Sequence, residues 1–417
     1  MHIVSRFIAL AGCLLALPVA ANVVVISPPP TFDPQAFEAE IREAMDFPIS
    51  RGYSAVIIRN GQFVHQVSGG LAQDNANASA DIPFTMDVPT NIGSSVKVLS
   101  FVAMLRAFES GAEGKTVEQW LDTRILSYLP AAWRIYTNAQ SSSAHFWLRR
   151  VTFRQLMQHR SGWGARPGPE VFDRFIAGVT PTQYGERQYQ NINATIVTYL
   201  LPRIIDPAWA VATDKAAVDA NIANNDAAWY GARYGARFET LMQSMFSKVQ
   251  PTPIRPSCDP AVDYGSRDRS FALSYTTTFG GTGSWYSEKA TNGGCHAQGG
   301  YYMSMRELAM FWATFQATES IVKNSTKALM YVDSHDAAFQ DQLGWARIVY
   351  SPFLKTNFKV NGNPSHNGLH MSYKSAMIKL PHGYMAMIAT NRSDVSASAL
   401  EDLLKNAFVQ GMIANFD

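Results

Sequence analysis

Ser94 and Lys97 stand three residues apart in the stretch "NIGSSVKVLSFVAML", residues 91–105. On a helix, side chains at i and i+3 share one face about one turn apart. From Val96 to Leu105 the only polar side chains are Lys97 and Ser100, so the helix is apolar around most of its circumference and reads as buried. An ammonium loses its hydration there, and lysine is almost never fully buried without a partner. Either Lys97 snorkels to water, or a cleft needs an amine beside Ser94. An amine kept from water has its pKa lowered, because desolvation disfavours the charged form. If Ser94 opens the helix, unpaired N–H groups and the positive dipole end lie close by. The chemistry expected is an activated nucleophile: Lys97 takes the proton of Ser94, whose oxygen attacks a carbonyl.

The S-x-x-K spacing alone is not specific, since Ser320-Ile321-Val322-Lys323 shares it. The second copy follows Glu319 and precedes Asn324-Ser325-Thr326, so it reads as a solvated helix surface. Only the first heads an apolar helix. The chain has no G-x-S-x-G elbow, H-E-x-x-H pair or Walker loop. "DSHD" at 333–336 reads as a solvated loop rather than a metal site, and neither metal nor organic cofactor is expected.

Elements on either side must position this pair. "YSAVIIRNGQFVHQV", 53–67, is a hairpin signal, with β-rich runs around Asn60-Gly61. "SAMIKLPHGYMAMIATN", 375–391, reads as two more strands around Pro381-His382-Gly383. In "SALEDLLKNAFVQGMIANF", 398–416, Leu400, Leu403, Leu404 and Phe408 form a helical stripe with Ser398 as expected N-cap. From Lys115 to about Lys248 the patterns are helical, and from Pro251 to Gly300 they are loop-like. Strands at both chain ends with helices between them predict an α/β (α+β) fold. Its antiparallel sheet is built from both ends and flanked by helices, with a mostly helical lobe inserted. The sheet lobe is expected over about 22–114 and 295–417, and the helical lobe over about 115–294.

The 417 residues, 47% hydrophobic and 16% charged, suit a large folded core rather than a disordered chain. A net charge of +2 without a basic run argues against nucleic acid and for a small-molecule partner. The first 21 residues read as an export signal, with Arg6 as the positive start, Phe7 to Leu17 the apolar core and Val19-Ala20-Ala21 the cleavage site. Leu10-Ala11-Gly12-Cys13 offers a weaker alternative, a lipobox that would leave Cys13 lipid-anchored. No later run is long enough to span a bilayer as a helix. The mature protein is expected in the periplasm or outside the cell. Without the leader, Cys258 and Cys295 are the only cysteines. Export favours a disulfide between them, with two unpaired thiols as the alternative.

Further along, "VTFRQLMQHRSGW", 151–163, strongly resembles a helix-and-turn element of the penicillin-recognising serine hydrolases, the family of class C β-lactamases, DD-peptidases and related esterases. In that family S-x-x-K is followed by an H-x-S-G turn, a Y-x-N segment and a late [KH]-x-G strand. Here the order is Ser94-Ser95-Val96-Lys97, His159-Arg160-Ser161-Gly162, Tyr189-Gln190-Asn191 and His366-Asn367-Gly368. "GGYYMSMRELAMF" at 299–311, "LGW" at 343–345 and the strand end at Asn391 also match. The resemblance runs from about Phe37 to Phe416.

The resemblance implies roles. Tyr189 would relay a proton between the nucleophile and the leaving group, provided nearby cations favour its phenolate. Tyr136-Thr137-Asn138 also fits Y-x-N but lies before His159, out of order. Asn191 would hydrogen-bond Lys97 and a substrate amide. His366, Asn367 and Gly368 would line the cleft on an edge strand, the glycine admitting a substrate backbone. The N–H groups of Ser94 and Leu369 would form an oxyanion hole. His159 and Ser161 are expected to be structural. Two departures matter. Many β-lactamases of the family carry Lys-Thr-Gly where this chain has His366-Asn367-Gly368, and a mostly neutral histidine holds a substrate carboxylate less strongly. Met371 and Ser372 stand where many relatives have another glycine. The expected protein is an exported serine hydrolase acting through an acyl-enzyme on a small ester or a D-amino-acid peptide or amide, with β-lactams third. The rival is a sensor on the same scaffold that captures a peptide or penicillin without turnover. A structural protein of the cell envelope is a third reading.

Overall fold

A computed structural model describes residues 31–46, 51–110, 112–164, 171–223, 226–266, 270–275, 282–330, 343–345, 347–350, 357–360 and 372–413. The leader, Cys13 and the "DSHD" segment lie outside these residues.

The hairpin forms where the Asn-Gly pair predicts it. Strand β1 (Tyr53–Arg59) turns into β2 (Gln62–Gly69) through Asn60 and Gly61, both at positive φ, +46° and +82°. That conformation suits a two-residue turn matching the strand twist, and asparagine and glycine tolerate it best. Four strands from the second half complete an antiparallel sheet: β3 (Arg347–Tyr350), β4 (Asn357–Val360), β5 (Lys374–Lys379) and β6 (Tyr384–Thr390). The order is β2-β1-β6-β5-β4-β3, so β1 from the start of the chain pairs directly with β6 near its end.

Helices cover both faces. Helix α1 (Pro34–Met45) and the C-terminal helix α8 (Ala397–Ile413) pack on one side, where Phe37, Ile41, Leu400, Leu404 and Phe408 meet Ile57, Ile378 and Ile388. The expected stripe of α8 is buried, but the helix starts two residues earlier than Ser398 as N-cap would set it. Ser396, not Ser398, accepts the Ala399 N–H at 3.0 Å. On the other face the sheet shares one continuous core with the helical region. Val56 and Met385 pack in the same cluster as α2 (Val96–Glu109), α4 (Val197–Ile205), α5 (Ala227–Phe246) and α7 (Met305–Ala317). The Ser304–Glu307 capping box starts α7, as S-x-x-E predicts.

Helix α2 explains its own sequence. Every residue except Arg106 and Glu109 is buried, so a nearly unbroken apolar circumference has partners on all sides. The short strand Thr90–Asn91 leads into it, pairing with Tyr302–Met303. Ser375 on β5 bonds the Ser95 hydroxyl at 2.9 Å and the Ile92 carbonyl at 2.7 Å. The turn before α2 is thereby tied to the sheet.

Candidate active site

Ser94 sits in the single turn Gly93–Ser95 that runs directly into α2. Gly93 has φ +50° and its N–H donates to the Asn91 side chain at 2.8 Å, which sets the turn. Ser94 and Lys97 are each 1% exposed. Lys97 does not snorkel. Its Nζ lies 2.8 Å from Ser94 Oγ and donates to the Gln298 carbonyl at 2.5 Å. Burial pushes this amine down to about 7, opposed by the negative charge of Glu288. A substantial fraction of Lys97 is therefore neutral near pH 7, the form able to accept a proton.

Tyr189 approaches from the loop before the helix Ile192–Thr195, with Lys97 Nζ 5.5 Å from its ring centre. Burial pushes the phenol up to about 12, while an interaction with Ser94 pulls the other way. That places the hydroxyl beside the nucleophile, although among the described residues it has no partner of full hydrogen-bond geometry. The condition attached to a phenolate relay is not met: near neutral pH Tyr189 is a phenol. It offers a proton rather than taking one.

The H-x-S-G turn holds that loop. His159, itself at φ +58°, accepts the Gln188 N–H at its carbonyl (2.8 Å) and the Gln190 N–H at Nδ1 (3.3 Å). Its ring lies 4.7 Å from that of Tyr189, with 33° between the planes. Burial drives the imidazole to about 3, so it stays neutral and packs as an aromatic plate. Gly162 needs both its φ of +82° and its missing side chain, since a Cβ there would lie 2.9 Å from the Tyr184 backbone.

Asn191 begins the helix after Tyr189 and receives the Ala194 and Thr195 N–H groups on its carbonyl. Among the described residues Lys97 donates to the Ser94 and Gln298 oxygens and not to the Asn191 side chain, so the bond expected between them is absent there. The alternative Tyr136 packs against His145 and Phe172. His366, Asn367, Gly368, Leu369 and Met371 lie outside the described residues. Ser372, just beyond them, is buried, its N–H donating to Ser274 Oγ at 2.6 Å and its hydroxyl donating to the Tyr275 carbonyl.

Sequence reasoning missed Gln298. Its contribution is a backbone carbonyl, which carries no side-chain signature, although the adjoining Gly299-Gly300 begins a stretch the motif order singles out. The segment is strapped down on both sides. Thr195 donates to the Gln298 side chain at 2.8 Å, Thr198 receives the Ala297 N–H at 2.9 Å, and Ser100 donates to the Ala297 carbonyl at 3.0 Å. Cys258 and Cys295, at the near end of this segment, have Cα atoms 5.7 Å apart and their sulfurs joined. Glu239 lies within 4.8 Å of both sulfurs, but a bonded pair offers no thiolate to a metal.

A sheet built from both chain ends, a serine at the head of a buried helix and a depressed lysine one turn later define a β-lactamase/transpeptidase-like fold. The chain belongs to the Beta-lactamase family, whose model matches residues 37–407, and so to the serine hydrolases related to β-lactamases and penicillin-binding proteins. Among solved structures it is similar to a class C beta lactamase from Rhodobacter sphaeroides, at 14% identity and a TM-score of 0.58, covering 92% of this chain and 99% of that one. FmtA from Staphylococcus aureus gives 13% identity and 0.57, with 92% and 93% covered. A beta-lactamase/D-alanine carboxypeptidase from Pseudomonas syringae gives 16% and 0.54, with 90% and 98% covered. At these identities the likeness is one of fold. No curated protein matches the chain by sequence. No helix among the described residues is long and apolar enough to cross a membrane.

Proposed function

We propose that the protein is an exported serine hydrolase working through an acyl-enzyme on Ser94. The observation that carries the reading is Lys97 Nζ at 2.8 Å from Ser94 Oγ, in a site where burial brings the amine to about 7. Neutral Lys97 accepts the hydroxyl proton as Oγ bonds to the substrate carbonyl carbon and the carbonyl electrons move to oxygen. The oxyanion is held by the N–H groups of Ser94 and Leu369, each such donor being worth about 2.7–4 kcal/mol of transition-state stabilisation. As the bond to the leaving group breaks, Tyr189 gives its phenol proton to the departing alkoxide or amine and takes back the proton that Lys97 carries, which returns Lys97 to the neutral amine. Water then attacks the acyl ester, gives its proton to Lys97, and releases the acid with Ser94 restored. Asn191 and the residues His366, Asn367 and Gly368 hold the substrate.

The substrate class is a small ester or a D-amino-acid peptide or amide. His366 in place of a lysine supports placing β-lactams after these, because a neutral imidazole attracts a carboxylate less. The leader and the joined Cys258–Cys295 pair support export to an oxidising compartment. The test is a screen with p-nitrophenyl esters, a D-Ala-D-Ala peptide and nitrocefin, run on the wild type and on Ser94→Ala. Hydrolysis that depends on Ser94 and is fastest on the first two is the expected result. Full activity in Ser94→Ala ends the proposal, and nitrocefin far ahead of the esters reverses the substrate order. Intact-mass decay of a penicillin adduct separates turnover from the sensor reading, for which the adduct persists.

A further inference from the structure

Glu288 opens the short helix α6 (Glu288–Asn292) and is only 3% exposed. A carboxylate so buried is held by hydrogen bonds and nearby charges. His296 Nδ1 stands 3.5 Å from its Oε1, but burial pushes that imidazole down to about 4, so near neutral pH it brings no positive charge. The carboxylate lies flush against Gly300, where a Cβ would sit 2.7 Å from Glu288 Oε2 and where φ is +82°. Gly300 is two residues beyond Gln298, whose carbonyl receives Lys97. One short segment thus touches the carboxylate at one end and the amine at the other. The joined cysteines fasten the same region, since Cys295 precedes His296 and the Cys258 carbonyl accepts the Lys289 N–H at 3.5 Å.

Among the described residues, Tyr189 and His159 beside Lys97 bring no negative charge near neutral pH. Tyr189 is a phenol, and His159 is neutral, with the Arg187 cation beyond it. Among the described residues, the charge that raises the Lys97 pKa against burial is that of Glu288. We infer that Glu288 is a positioning residue for the general base: its buried carboxylate balances the ammonium that Lys97 becomes on taking the Ser94 proton. The inference rests on the Ser94–Lys97 reading. In the step concerned, the proton leaves Ser94 Oγ for Lys97 Nζ while Oγ forms its new bond. An uncompensated cation would otherwise appear on a side chain that is only 1% exposed. Glu288 makes the amine a stronger base and keeps the ion pair neutral overall. Gly300 must remain side-chain-free for the carboxylate to reach its place.

The test is the rate at which a fluorophosphonate labels Ser94 as a function of pH, followed by intact mass. The wild type is compared with Glu288→Gln, Glu288→Asp and the control Glu239→Gln, and each fold is checked by circular dichroism. With Glu288→Gln the acidic limb is expected to move down by on the order of 1 pH unit. The plateau rate is expected to fall roughly three- to tenfold, because a weaker base accepts the proton less readily. Glu288→Asp falls between the two, and Glu239→Gln follows the wild type. A fall in rate with an unmoved limb means a merely structural role and overturns the inference, as do superimposable profiles for folded Glu288→Gln and the wild type. If Glu288→Gln does not fold, Glu288→Asp decides alone, and a limb identical to the wild type overturns the inference. Wild-type protein left unlabelled, or labelling that survives Ser94→Ala, removes the hydrolase reading and this inference with it.

Discussion

The chain carries the same four-residue pattern twice, and the two copies have opposite fates. Ser94 and Lys97 lie on a buried helix, one turn apart, with the amine held between the hydroxyl and the Gln298 carbonyl. Ser320 and Lys323 fall in a bend before the short helix Asn324–Leu329, which Lys323 precedes as its N-cap residue. Ser320 donates to the Lys248 carbonyl at 3.2 Å, and Lys323 is exposed. Of the solvated helix surface expected for this copy only the exposed Lys323 is present, since Ile321 and Val322 are buried and the segment is not helical. Arg106 of α2 clamps the Ser320 and Ile321 carbonyls at 2.8 and 2.7 Å, so the second copy serves to anchor the far end of the helix that carries the first. An S-x-x-K pair gains chemistry only where the helix aligns it and the core dries it.

The sharpest way to break this contrast is to remove each serine. Ser94→Ala is expected to lower kcat by about 10⁴-fold or more, as loss of an activated nucleophile does. Ser320→Ala should leave kcat within about twofold, surface changes being nearly neutral. Equal losses in steady-state assays would erase the distinction.

Lys97→Met comes next, with an expected loss of about 10³-fold in kcat. It also carries a stability signature. Lys97 titrates near 7 in the folded protein against an ordinary 10.5, so the fold favours the neutral amine. Its burial therefore weighs fully against stability below about pH 7, and that penalty fades as pH rises from about 7 to about 10.5. Thermal melts should show Lys97→Met gaining most over the wild type near about pH 6 and least near about pH 10. A gain that stays the same from about pH 6 to about pH 10 would mean that burial does not depress this amine.

Tyr189→Phe removes a phenol that donates rather than a phenolate that accepts, and roughly a 10²-fold fall in kcat is expected. The pH of the acidic limb should stay in place, since that limb belongs to Lys97. A limb displaced in Tyr189→Phe would assign the titration to the wrong group. The smallest effect on rate is expected from Cys258→Ser combined with Cys295→Ser, whose action is on stability. Opening a closure of 37 residues should destabilise by roughly 4 kcal/mol, read from denaturant melts of the oxidised wild type against the double variant. No change on reduction of the wild type would mean that the two sulfurs do not bridge in solution.

Much of the fold was legible in the sequence because it rests on local rules. Asn60-Gly61 admits a two-residue turn, the spacing of Leu400, Leu404 and Phe408 makes one apolar face, and Ser304 with Glu307 caps a helix. The serine–lysine pair was legible for the same reason, since i and i+3 share a face on any helix. The Gln298 carbonyl and Glu288 were not, because they reach Lys97 across about 200 residues and nothing in their own neighbourhood announces it. Nor did the sequence foresee that Tyr189 stays protonated. That outcome depends on how deeply its hydroxyl is covered, and depth is a property of the packed molecule.

The sequence by itself determined which residues alternate, cap, turn and share a face, and so the α/β class, the hairpin and the juxtaposition of Ser94 with Lys97. Only the tertiary structure decided which of two identical spacings would be dry, which carbonyl would receive the amine, and which distant charge would act on it. The physical reason is that proton affinity in a folded chain follows desolvation and the nearest charges, and both are set by segments far apart in sequence.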